Sequence, residues 1–153
     1  MKIVLGLAVL AALVGSAATE AASSTIPGLR ARDLYKHFQR LDMVCSGPVK
    51  KAGLSTWTCT RRDGTSRYTV TIVGRSANEV TLIRAKATLR AKKPNPLAQS
   101  FLGYIAQIPY KGSTPLQARR WARRHIGGGT TRIKGVTFII SGSVRQPLLE
   151  MKA

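Results

Sequence analysis

The sequence predicts an α+β fold, a single small domain in which an antiparallel sheet of five or six strands carries about three helices packed on one face. Three observations lead there. Runs near residues 54–61, 67–73 and 79–90 alternate in side-chain character with period two, the mark of strands with one buried and one wet face. Stretches near 33–41, 97–108 and 114–126 repeat their apolar residues at helical spacing. The order helix, meander, two helices and closing hairpin suits helices gathered on one face of one sheet.

The first twenty or so residues stand apart from that domain. Met1 and Lys2 precede an apolar run from Ile3 to Val14, and small residues follow at Gly15, Ser16, Ala17 and Ala18. This is the charged, apolar, small-residue order of a secretory signal peptide. The run is well short of the roughly twenty apolar residues that cross a bilayer, so no stable membrane anchor is expected from it. It is apolar all round, which argues against an amphipathic core helix. Cleavage after Ala18 or Ala21 satisfies the small-x-small rule. The expected organisation is a leader over 1–21, a short tether over 22–30 and one basic domain over 31–153.

Within the domain, Asp33 opens a helical pattern with Leu34, Phe38 and Leu41 on one side. A short strand is expected at Met43-Val44-Cys45, ended by Ser46-Gly47-Pro48. Thr56, Thr58 and Thr60 then alternate with Ser55, Trp57 and Cys59, and Arg62-Asp63-Gly64 carries a hairpin signal. Tyr68, Val70 and Ile72 oppose Arg67, Thr69 and Thr71. Ile83, Ala85, Ala87 and Leu89 oppose Arg84, Lys86, Thr88 and Arg90. After the basic, proline-marked connector Lys92-Lys93-Pro94-Asn95-Pro96, one helix places Leu97, Phe101, Ile105 and Ile108 in a stripe. Thr114-Pro115 supplies an N-cap and a first-turn proline for the next, which Gly127-Gly128-Gly129 stops. A hairpin turning at Lys134-Gly135 returns Val136, Phe138 and Ile140 to the core, and residues 146–153 show only a weak pattern.

Charge bounds the function. The chain holds 25 Lys and Arg against 6 Asp and Glu, a formal net charge of +19. The leader carries one of each, Lys2 and Glu20, so removing it leaves the excess intact. Such a field selects anionic partners and leaves the fold undetermined. The expected partner is an acidic macromolecule or an anionic envelope component, with no small-molecule cofactor. Cys45 and Cys59 are the two cysteines, and an exported pair is expected to bond. A metal site is not expected, because His37 and His125 lie far apart and no Cys-x-x-Cys or His-x-x-x-His spacing occurs.

The strongest candidate site is the helix ending near Ile126, where Arg119, Arg120, Arg123 and Arg124 fill the arc opposite Ala118, Trp121, Ala122, His125 and Ile126. Arginine suits phosphate and carboxylate because its planar fork donates paired hydrogen bonds. Arg84, Lys86, Arg90, Lys92 and Lys93 extend the candidate polyanion-binding set, beside a threonine-rich sheet face. Trp57 and Tyr68 are expected on the core side, so that face offers no stacking platform for bases. The triple glycine follows a helix, whereas phosphate loops precede one. No catalytic residue is assigned. The leading expectation is a non-enzymatic, exported polyanion-binding module. The alternatives are a module that docks or inhibits an acidic protein and, more remotely, a small secreted nuclease using His37 and His125 as acid and base.

Overall fold

The computed structural model describes residues 24–90 and 96–153; the leader and the Lys92-Lys93 connector lie outside the described residues. Helix α1 (Ala31–Arg40) precedes strands β1 (Val44–Lys51), β2 (Leu54–Asp63), β3 (Ser66–Gly74) and β4 (Leu82–Thr88). Helices α2 (Pro96–Ala106) and α3 (Pro115–Arg124) follow, then β5 (Gly129–Ile133), β6 (Val136–Ser143) and β7 (Gln146–Lys152). The strands form one antiparallel sheet in the order β1-β2-β3-β4-β7-β6-β5.

The class is α+β with three helices, as expected, but the sheet has seven strands where five or six were predicted. The addition is β7, and it lies in the middle of the sheet. Its residues read weakly because Leu148 puts an apolar side chain on the open face and Pro147 sits next to the first position. Only tertiary pairing, Ala85 with Leu149 on one side and Ile140 with Leu149 on the other, makes the segment a strand. The chain crosses through α2 and α3 to the far edge, lays down β5 and β6, and returns to close β7 against β4. β1 also runs further than expected, passing Gly47-Pro48 through an irregularity in its pairing with β2. It is an edge strand, where a proline removes no ladder hydrogen bond.

One sheet face is buried. Trp57, Cys59, Val70, Ile72, Ile83, Ala85, Phe138, Leu149 and Met151 form the core with Leu34 and Phe38 of α1 and with Leu102 and Ile105 of α2. Trp57 and Tyr68 do lie on this side, both buried. Ile26 and Leu29, in the stretch expected to be a tether, are core residues too, and the Ile26 amide donates to the Val80 carbonyl. Cys45 and Cys59 face each other directly across β1 and β2 and are bonded. A bridge closing this loop contributes about 3 kcal/mol in the chain-entropy description.

The β2–β3 hairpin turns one residue later than the Asp-Gly signal suggested. Asp63 pairs with Ser66, which leaves Gly64-Thr65 as the loop, with Gly64 at φ 56°. A two-residue turn of the II′ kind reserves that first position for glycine. Lys134-Gly135 turns the β5–β6 hairpin as expected. Thr114 stands at the N-cap of α3, but its hydroxyl donates to the Gln117 side chain at 2.9 Å rather than capping the backbone.

Candidate cation surfaces and an apolar groove

The basic residues form two surfaces on opposite sides of the sheet. On the helical side, α3 buries Ala118 and Ala122, and the Trp121 ring meets Phe138 edge-on at 6.2 Å. That docking turns Arg119, Arg120, Arg123 and Arg124 outward, and all four are exposed. Gly103 of α2 lets α3 approach closely, since a Cβ there would lie 2.9 Å from Arg123 Cγ and 3.5 Å from Arg119 Cγ. The stems of Arg119 and Arg123 therefore lie across α2, and Arg119 reaches the Gln107 side chain at 3.4 Å. Arg120 folds back to the Leu116 carbonyl of its own helix at 3.3 Å. Among the described residues, no carboxylate pairs with any of the four.

The open sheet face carries the second surface. Register places Thr58 beside Thr71 and Thr71 beside Arg84, and places Thr60 beside Thr69 and Thr69 beside Lys86. The threonine and basic residues grouped from sequence are thus true cross-strand neighbours. Arg84 is held by Glu150 of β7, its register partner, at 2.6 Å. Arg90, just beyond β4, lines a shallow hollow with Arg62 and Arg67. Arg62 and Arg67 are themselves directly opposed, an arrangement that costs stability between like charges. The residues predicted as one polyanion-binding set are therefore divided by the sheet, and no flat ligand touches Arg84 and Arg120 together.

The two histidines are not brought together. His37 of α1 shares a 2.5 Å hydrogen bond with the Tyr104 hydroxyl and lines a cleft with Asp33 and Arg40. His125, at the end of α3, donates from Nδ1 to the Trp121 carbonyl at 2.8 Å and stacks on the Trp121 ring. It does not line that cleft. The glycine run acts as the expected helix stop, with the Gly128 amide donating to the His125 carbonyl at 2.8 Å. Among the described residues no group of three or more His, Cys, Asp or Glu is placed to hold a metal ion, and no helix is long and apolar enough to cross a membrane.

A feature missed in the sequence is a groove of about 470 Å³ between α1 and α2 at one end of the buried sheet face. α1 lies over β1, β2 and β3, and α2 over β4 and β7, so the two helices leave a gap above the ends of β2 and β3. Phe38, Leu41, Met43, Phe101 and Ile105 line it, with Arg61 and Arg119 among its polar residues. Tyr68 forms part of the wall and stacks obliquely on Phe101 at 5.0 Å. Its hydroxyl is buried and makes no well-formed hydrogen bond. Burial pushes the Tyr68 phenol above its ordinary pKa; a marginal hydrogen-bond contact with the Ser66 side chain opposes the rise, Asp63 adds to it, and the Arg61 charge lowers it. Burial raises Tyr104 and Tyr110 in the same way, although the Tyr110 hydroxyl donates to the Ile133 carbonyl at 2.6 Å. The signal that could have located the groove is the alternation itself, which puts Arg61, Asp63 and Tyr68 on the core side of the strands, where Arg61 donates to the carbonyl of Leu41 at the end of α1 at 3.4 Å.

Comparison of the chain with protein-family models, with curated proteins and with solved structures finds no match.

Proposed function

We propose that the chain is an exported binding module that holds a polyanion through the arginine arc of α3. The observation that carries this reading is the exposure of Arg119, Arg120, Arg123 and Arg124 with no carboxylate among the described residues to neutralise them. Four guanidinium groups on one short helix form a dense patch of paired donors for phosphate, sulfate or carboxylate groups. A covalent bond between Cys45 and Cys59 supports an oxidising compartment, in line with the leader-like N-terminus. Arg84 contributes less, because Glu150 already occupies it.

Retention on heparin and binding to duplex DNA across a salt series test the reading. Log affinity for duplex DNA is expected to fall with log salt by about 0.9 per neutralised phosphate. Release well below physiological salt would falsify it. Leu116, 65% exposed on the same helix, favours the second reading, a module docking on an acidic protein, since protein interfaces are anchored by apolar side chains. A partner captured from the native surroundings that resists nuclease treatment and moderate salt would select that reading instead.

A further inference from the structure

The groove between α1 and α2 has the composition of a ligand site rather than of a packing fault. We propose that it binds a small amphiphilic anion, an apolar or aromatic body seated between α1 and α2 with one acid group bound by Arg61 and Arg119. Its volume of about 470 Å³ falls in the range of pockets that enclose small organic ligands. Phe38, Leu41 and Met43 supply one apolar wall, and Phe101 and Ile105 of α2 the other. The two arginines enter from separate elements, Arg61 from β2 and Arg119 from α3, and both are exposed, so their charged heads stand at the solvent side. Asp63 offsets one of these charges and leaves a net positive rim.

Tyr68 adds an independent reason. It is 7% exposed, and its buried hydroxyl makes no well-formed hydrogen bond, the Ser66 side chain offering only a marginal contact. A buried hydroxyl so poorly satisfied is costly, and native proteins seldom leave one without cause. Tyr68 is the register partner of Arg61, so one acid group can accept from both. The hydroxyl is closed to solvent, and the exposed Arg61 donates to the Leu41 carbonyl at 3.4 Å, a long contact that an acid group would replace. A neutral lipid leaves both donors unanswered, and a large polymer cannot enter.

The site shares Arg119 with the polyanion surface and is otherwise separate from it. Arg120 and Arg124 do not line the groove, so the two proposals fail separately. The test is fluorescence titration of the purified protein with anilinonaphthalene sulfonate, followed by competition with decanoate and with decanol. One saturable site is expected, and decanoate should compete about tenfold better than decanol, the worth of one charge-assisted contact. Arg61→Gln should remove that advantage. Ser100→Trp, which fills the groove from an exposed position of α2, should abolish binding. Tyr68→Phe should weaken decanoate several-fold while leaving the free protein about as stable, because it removes a buried hydroxyl that is poorly satisfied without ligand. Arg120→Gln with Arg124→Gln should leave the titration unchanged. Absence of a saturable site overturns the proposal, as do equal competition by decanoate and decanol or full binding by a folded Ser100→Trp variant.

Discussion

Arg84 on the open sheet face and the arginines of α3 differ in what answers their charge. On the open sheet face Arg84 meets Glu150 at 2.6 Å, and Lys86 lies among half-buried threonines and Leu148. Among the described residues, the four arginines of α3 meet a glutamine side chain, a carbonyl of their own helix and the flank of α2, and no carboxylate. Similar composition therefore yields different availability. A guanidinium already paired with a carboxylate has to lose that partner before it can bind another anion, whereas an unpaired one has only water to shed. The difference rests on β7, which brings Glu150 from the far end of the chain beside β4.

The largest effect should come from removing that support. Leu149→Ala deletes a fully buried side chain at the centre of the sheet and should lower unfolding free energy by about 2–5 kcal/mol, read from denaturant midpoints. A loss below about 1 kcal/mol would mean that β7 does not hold the two halves together. Next, reduction of the Cys45–Cys59 bond should cost about 3 kcal/mol while leaving the α3 surface, which is remote from β1, with its heparin affinity intact. A parallel fall in affinity in protein that is still folded would show that the two regions are coupled.

The direct test of the comparison is electrostatic. Arg120→Gln with Arg124→Gln should reduce the slope of log affinity against log salt for duplex DNA by about 2, whereas Arg84→Gln should change it by well under 1. Equal slopes would erase the distinction between the surfaces. The smallest effect should come from Glu150→Gln. It frees Arg84 and should steepen the salt slope slightly, at a stability cost below about 1 kcal/mol because the arginine is half exposed.

Much of this architecture is legible in local pattern. Period-two alternation in β2, β3 and β4 predicts which residues are buried, and Val70, Ile72, Ile83 and Ala85 are indeed closed to solvent. The opposition of Ala118 and Ala122 to four arginines predicts the exposed arc of α3, because one helix face follows from spacing alone. The cysteine pair is likewise readable, since two cysteines leave one intramolecular pairing.

Long-range contacts decided the rest. Residues 146–152 have only a weak pattern of their own and become an inner strand only when β4 and β6 supply partners on both sides. The pairing of Arg84 with Glu150 spans 66 residues, so no local rule could discount that arginine. Nor could a local rule put Arg84 and Arg120 on opposite sides of the sheet, because the alternation along a strand is local while the side on which helices settle is a property of the whole sheet. The groove arises from where two helices fail to meet over the sheet. The sequence by itself determined which residues face the core and which carry charge, because both follow from spacing and side-chain chemistry. The tertiary structure alone decided which charges stay unpaired and where an opening remains, because both depend on neighbours that the chain brings in from a distance.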